Sequence, residues 1–155
     1  MLKKITTALL ALTFALALPF SSAFAASESS ASQTEIASDV YVVRANENTV
    51  FNGVWDYVGR RTTSSSENPT NYVYSTGGDF KFKVVSGPSG GAWYALYEYD
   101  PDNADDHVRD LWFYLYPGDE VIYRDIGNYV DGSNKKAEFY VRENFSGSAT
   151  VDYWD

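Results

Sequence analysis

Residues 79–84 read DFKFKV, and this short stretch decides the fold class. Three apolar side chains at its even-numbered positions alternate with Lys81 and Lys83. Successive side chains of a β-strand point to opposite faces of a sheet, so this alternation predicts a half-buried strand. The stretch AEFYVR over residues 137–142 alternates in the same way and predicts a second one.

Similar short runs of Val, Ile, Tyr, Phe and Trp follow one another from residue 40 to the end, separated by Gly, Pro, Asn and Asp clusters. This spacing is typical of an all-β domain and predicts one antiparallel β-sandwich, jelly-roll-like, of about eight to nine strands over residues 40–155. The segments DLWFYLY and AWYALYEY are apolar or aromatic on both faces, which indicates central strands or strands covered by a loop or ligand. The predicted strands span residues 40–45, 50–59, 71–75, 79–85, 92–99, 110–116, 120–125, 136–142 and 148–153.

The first 25 residues have the features of a secretory signal peptide. Lys3 and Lys4 precede an apolar stretch that Pro19 ends, and Ala23 and Ala25 supply the small residues of a cleavage site. The apolar stretch is too short for a membrane span, so a secreted, extracellular protein is expected. Residues 26–39 are rich in Ser, Ala and Glu and predict a flexible arm.

Composition excludes several functional classes. The 155 residues include no Cys and one His, and the net charge is -9. Disulfide scaffolds, thiol catalysis and Cys-type zinc sites are therefore excluded, and His107 alone makes a Ser-His-Asp triad a poor expectation. Nucleic acids and anionic membranes need a basic face, so neither is an expected partner.

Aromatic residues are the first candidate binding groups. Trp93, Tyr97 and Tyr99 share one face of a predicted strand, and Trp55 and Tyr57 share a face of another. Exposed rings stack on sugar rings, which makes these five residues candidate ligand-binding residues. The alternative is that the rings fill the sandwich core.

An acidic segment is the candidate metal site. Asp100, Asp102, Asn103, Asp105 and Asp106 place many oxygen ligands in one loop, as calcium prefers, although the EF-hand pattern is absent. Calcium is the only cofactor that this pattern suggests. The alternative is a solvated acidic loop.

Two glutamates form a candidate catalytic pair. Glu98 and Glu138 lie in aromatic-rich strands, and a glycosidase uses two carboxyl groups about 5–5.5 Å apart when it retains configuration. The alternative is that each glutamate joins a cross-strand ion pair on the solvent face.

The leader MLKKITTALLALTFALALPFSSAFA and the ending SATVDYWD, around an acidic β-rich body, resemble the small Cys-free, tyrosine-rich proteins that Gram-positive bacilli secrete. Most of those proteins have no known function. The resemblance implies export by a Gram-positive bacterium and transfers no functional residue.

These patterns favour a secreted, non-catalytic binding or interaction module whose partner is a polysaccharide or another extracellular protein. Two alternatives stay open at this point. One is a small secreted glycoside-active enzyme that uses Glu98 and Glu138. The other is a secreted antagonist of bacteriocin-like type, although the acidic charge disfavours binding to anionic cell surfaces.

Overall fold

A computed structural model describes residues 34–47, 54–63, 65, 70–101 and 103–155 of the chain. The predicted signal peptide (1–25), most of the predicted arm and the beginning of the predicted strand 50–59 lie outside these residues. The described part of the chain contains no helix with the length and apolarity needed to cross a membrane.

Two antiparallel sheets build the domain, as the alternating sequence pattern predicts. The first sheet has six strands, in the order β1 (Thr34–Ala37), β2 (Val40–Val43), β9 (Glu120–Tyr123), β5 (Phe80–Ser86), β11 (Thr150–Trp154) and β3 (Tyr57–Thr62). The second sheet has five strands, in the order β4 (Val73–Ser75), β10 (Ala137–Glu143), β6 (Ala92–Glu98) and then β7 (Asp106–His107) and β8 (Phe113–Leu115), which both pair with β6. The described residues form no α-helix, and short 3₁₀ turns occupy Val108–Asp110 and Gly127–Tyr129. The all-β sandwich prediction is therefore confirmed.

The core lies between the two sheets and follows the predicted alternation. Phe80, Phe82 and Val84 are fully buried, while the lysines between them are only partly buried. The rings of Phe80 on β5 and Phe139 on β10 approach to 4.7 Å between centroids, which joins the two sheets directly. Aromatic side chains of this size contribute most of the apolar area that such a core buries.

Several strand boundaries differ from the sequence expectation. The predicted strand 110–116 is shortened to β8, because Arg109 and Asp110 take positive φ angles of 58° and 52° and turn the chain before it. The separate strand β7 pairs with the end of β6, so two short strands share one edge of β6.

Strand β1 comes from the end of the predicted flexible arm. It pairs with β2 across a tight turn in which Asp39 has a φ of 65°. Ile36 is 49% exposed, so backbone pairing rather than burial holds this strand. Such a strand carries no hydrophobic alternation that a sequence pattern would reveal.

Candidate functional site

The outer face of the five-stranded sheet carries a row of exposed rings, which we call the aromatic strip: Trp93, Trp112, Tyr114 and Tyr116. Trp93 on β6 and Tyr114 on β8 are register partners, and their rings meet edge to face at 5.5 Å. The Tyr116 ring meets Tyr114 in the same manner at 5.7 Å. The four side chains are between 37% and 47% exposed, so their rings are open to a partner.

Backbone and side-chain hydrogen bonds hold the aromatic strip in place. The Tyr114 hydroxyl donates to the carbonyl of Gly90 at 2.7 Å, and Arg44 donates to the carbonyl of Tyr114 at 3.1 Å. The backbone N–H of Asn144 donates to the carbonyl of Trp93 at 3.0 Å. A surface that is ordered before binding loses less conformational entropy when a ligand arrives.

Tyr97 continues the same face of β6, but other side chains cover its ring. His107 stacks on it at 4.6 Å with an interplanar angle of 3°, and the Arg142 guanidinium lies 4.8 Å from its centroid. Trp112 contacts the Tyr97 ring from the side at 6.5 Å. Tyr97 therefore supports the strip rather than presenting a free ring face.

The other two predicted ligand-binding rings lie at the start of β3 in the six-stranded sheet and just before it. Tyr57 begins β3, contacts the ring of Trp154 at 5.7 Å and donates to Asp152. Trp55 lies just before β3, and its ring carries the Lys81 ammonium 5.0 Å from its centroid. Among the described residues no ring contact joins this pair to Trp93, so the five predicted rings divide between two sheets.

A cleft of about 480 Å³ lies at the end of β6 where Tyr99 follows the strand. The rings of Tyr72 and Tyr99 stack at 5.6 Å, and Tyr74 meets Tyr72 edge to face at 5.5 Å. Asp131 and Glu138 line the same cleft. We call it the acidic cleft.

Glu98 lies beside Glu138, which lines this cleft, although β6 and β10 are distant in sequence. The backbone N–H of Glu138 donates to the Glu98 carboxylate at 3.3 Å, and the Asn134 amide donates to Glu138 at 2.8 Å. A carboxylate oxygen of Asp131 joins them, and the three ligand oxygens lie within 4.8 Å of one another. The arrangement suits either a bound cation or a carboxyl group that keeps its proton.

The electrostatics at Glu98 follow from this crowding. Its side chain is 2% exposed, and burial is the main reason that its pKa rises from an ordinary 4.5 to about 8. The Glu138 backbone N–H opposes this rise, while the negative charges of Asp131, Glu138 and Asp100 add to it. Each charge disfavours ionisation of its neighbours at so short a distance.

The predicted calcium loop does not converge on one point in its described part. Asn103 donates to the Asp100 carboxylate at 2.9 Å, whereas Asp105 accepts a short hydrogen bond from Tyr140. Asp106 lies in β7 opposite Glu98 and is exposed. Asp102 lies outside the described residues. Within those residues, the group of three carboxylates that could hold a metal is Glu98, Asp131 and Glu138 instead.

Sequence reasoning missed Asp131, Tyr72 and Tyr74. Asp131 stands in the segment DGSN, which indicates only a turn, and the turn returns the chain to β10 through a bridge between Asp131 and Lys136. Trp112 and Tyr114 were not named as candidates, but their segment DLWFYLY is apolar or aromatic on both faces, which indicates a central strand or one covered by a loop or ligand.

Comparison with known proteins gives one family and one relative. The family model described as the YndA coiled coil domain matches residues 56–153. The "Uncharacterized protein YndA" of Bacillus subtilis (strain 168) is 43% identical over 104 residues, which cover 66% of this chain and 75% of that protein. No solved structure matches the chain.

The coiled coil in the family's description differs from the architecture of this chain. Coiled coils are built from supercoiled α-helices. The described residues between 56 and 153 form β-strands and two 3₁₀ turns, without an α-helix. The matched region carries the whole aromatic strip and the acidic cleft.

Proposed function

The chain belongs to the YndA coiled coil domain family, and we propose that it is a secreted, non-catalytic module that binds polysaccharide through the aromatic strip. The observation that carries the proposal is the contiguous set of exposed rings on the outer face of β6 and β8. Flat rings bind the apolar C–H faces of sugars, while hydroxyl groups of the sugar stay free to bond with polar groups and water.

The core does not need the rings of the strip. The space between the sheets is filled by inward side chains such as Phe82, Tyr94 and Tyr153, which are at most 1% exposed. Trp93 and Tyr114 stand on the opposite side of their strands and leave more than a third of their surface in water. Contiguous exposed apolar patches of this kind mark interaction sites.

The net charge bears on the type of polysaccharide, and the predicted signal peptide bears on secretion. The net charge of -9 favours a neutral or basic polymer over an anionic one, because like charges repel across an interface. The predicted signal peptide of residues 1–25 supports export.

The test uses the full chain expressed in a Gram-positive host and recovered from the culture medium. Insoluble neutral and amino-sugar polysaccharides and purified cell walls are incubated with the protein, and bound protein is measured against concentration. The double variant Trp93→Ala/Tyr114→Ala is expected to bind at least tenfold more weakly, since truncating central interface aromatics costs about 2 kcal/mol or more.

The matched control is Tyr57→Ala, which removes an exposed ring from the other sheet. It is expected to bind like the unchanged protein. Equal loss in the control and the double variant, or full retention by the double variant, would contradict the aromatic strip as the contact surface. Retention of the chain inside the cell would contradict secretion, and absence of binding to every polymer would direct the search to a protein partner.

A small glycoside-active enzyme is the second candidate, and one observation favours it. Glu98 and Glu138 bring their carboxylates within 4.8 Å, and the raised pKa of Glu98 suits a proton donor. The 2% exposure of Glu98 argues against direct contact with a sugar. Release of soluble sugar from the same incubations, abolished by Glu138→Gln, would establish this activity in place of simple binding.

A further inference from the structure

The rings of the aromatic strip are turned steeply relative to one another. The planes of Trp93 and Tyr114 meet at 74°, and those of Tyr114 and Tyr116 meet at 82°. The strip is therefore contiguous without being flat, because the next ring presents its edge where one ring presents its face. These angles decide which physical form of a polysaccharide the strip can contact.

The backbone around Gly91 holds two of these rings in place. A Cβ added at Gly91 would lie 2.7 Å from the Tyr114 ring and 3.1 Å from the Tyr116 ring, so both rings pack on this glycine. The Tyr114 hydroxyl also donates to the carbonyl of Gly90 at 2.7 Å, which fixes the direction of the side chain. Packing on the glycine limits rotation of each ring about its own axis. The steep angles are therefore a property of the folded surface.

A crystalline polysaccharide presents its sugar rings in one common plane. An aromatic ring stacks on a sugar when the two planes are parallel, because the apolar C–H face of the sugar then covers the ring. A flat surface parallel to Tyr114 stands at 74° to Trp93 and at 82° to Tyr116, so these two rings meet it with their edges. A surface parallel to Trp93 or to Tyr116 meets the edge of Tyr114 instead. No orientation of a flat surface therefore stacks on all three rings.

A single polysaccharide chain in water is free of this restriction. Rotation about the bonds between its sugars turns successive sugar rings relative to one another, so neighbouring sugars can stack on rings whose planes differ. Trp93, Tyr114 and Tyr116 are 39% to 47% exposed, so each has surface to offer to such a chain. Ordering the chain costs conformational entropy, and a strip whose planes are fixed before binding adds little to that cost.

We propose that the aromatic strip binds a single dispersed polysaccharide chain and not the flat face of a crystalline polysaccharide. This inference rests on the proposed function, because it concerns the same surface, and it adds the physical form of the ligand. The chain lies across β6 and β8, with its sugars turned to follow the planes of Trp93, Tyr114 and Tyr116. Soluble and amorphous chains are therefore ligands, whereas ordered microcrystals are not.

The test compares two physical forms of the same polymer. Cellulose, which is a neutral polymer, and chitin, which is an amino-sugar polymer, are each prepared as microcrystals and as swollen amorphous material of equal accessible surface. The full chain recovered from culture medium is titrated onto each, and soluble oligosaccharides of the same sugar are added as competitors. The affinity for the amorphous form is expected to exceed that for the crystals by about tenfold or more. The oligosaccharides are expected to release the bound protein.

Tyr116→Ala tests whether the chain follows the strip beyond Trp93 and Tyr114. It is expected to weaken binding to the amorphous form by about tenfold, and unchanged binding would overturn the inference. Tyr74→Ala is the matched control, because it removes a ring that is 48% exposed on β4 of the same sheet, and it is expected to bind like the unchanged protein.

Equal or tighter binding to the crystals, lost in Trp93→Ala/Tyr114→Ala, would overturn this inference and leave the proposed function standing. Absence of binding to both forms of both polymers would overturn the inference together with the proposed function. Binding to the amorphous form that survives in Trp93→Ala/Tyr114→Ala would also overturn both, because the contact surface would lie elsewhere.

Discussion

Replacing Asp119 is expected to destabilise the sandwich and to loosen the aromatic strip at once. Asp119 is 2% exposed and ends the turn Tyr116-Pro117-Gly118-Asp119. Its Oδ1 accepts from the Ala45 backbone at 2.9 Å. Its Oδ2 accepts from the Tyr116 backbone at 3.0 Å and from Arg44 at 2.7 Å. One carboxylate therefore ties the turn that carries Tyr116 to the end of β2.

The magnitude follows from these three bonds. A hydrogen bond to a charged group contributes about 1.5–3 kcal/mol. Arg44 is 41% exposed and regains water after the change, so its ion pair counts for at most about 1 kcal/mol. The two backbone bonds account for the rest, so Asp119→Ala is expected to lower the free energy of unfolding by at least about 3 kcal/mol, the lower end of this range. Asp119→Asn keeps the acceptor for Ala45 but loses the other two bonds, so about 2 kcal/mol is expected.

Urea unfolding followed by tryptophan fluorescence measures this change. With a slope of about 2 kcal/mol per molar urea, the midpoint of Asp119→Ala falls by roughly 1.5 M. Asp106→Ala, which removes an exposed carboxylate, is the control and leaves the midpoint unchanged. A loss below about 1 kcal/mol in Asp119→Ala would refute the reasoning, because it would show that the carboxylate bonds contribute no more than bonds to water. Folded Asp119→Ala protein is also expected to bind the polysaccharide more weakly.

Two further predictions concern the same sheet. Gly91 has a φ of 81°, and an added Cβ would lie 2.7 Å from the Tyr114 ring, so Gly91→Ala is expected to cost about 1–3 kcal/mol in urea unfolding and to weaken polysaccharide retention. Unchanged stability and polysaccharide retention in Gly91→Ala would contradict this prediction, because they would show that the Tyr114 ring moves aside without cost. Glu143 is 2% exposed, and burial raises its pKa above the ordinary 4.5. The folded state therefore holds this proton more tightly than the unfolded state, so the Glu143 contribution to stability is greatest below pH 4 and is lost as pH rises. Glu143→Gln is expected to melt at the same temperature as the unchanged protein at pH 4 and at a higher temperature at pH 8, and a constant difference across this range would contradict the assignment.

Much of the fold could be predicted from the sequence, because a buried face imposes a strict period of two. Phe80, Phe82 and Val84 had to share one face, and they fill the core as expected. Edge elements followed no such rule. Strand β1 buries little apolar surface and β7 has two residues, so neither leaves a pattern in the sequence. Their existence depends on the backbone groups that β2 and β6 leave unpaired.

The candidate site was predictable only in part, since it depends on register between distant strands. Residue type alone suggested Glu98 and Glu138 as a pair. They are neighbours because the register of β6 and β10 places Phe139, the residue after Glu138, opposite Glu98. Asp131 enters the same cleft only because the turn before β10 bends back on itself. The five predicted rings are divided because β3 and β6, although both rich in aromatic residues nearby, belong to different sheets.

The two outer faces of the sandwich differ in a way that supports a binding role for one of them. The six-stranded sheet places Lys81 and Lys83 beside Glu120, and Arg60 beside Asp152, so its solvent face combines paired charges with the exposed ring of Tyr57. Such a face keeps a protein soluble at little cost in stability. The five-stranded sheet instead exposes Trp93 and neighbouring rings that the core does not require. Both sheets meet the same demand for a buried inner face, and the longer contiguous row of exposed rings lies on the five-stranded sheet. The polysaccharide ligand that we propose would account for this contrast, because it would cover the contiguous rings of the aromatic strip.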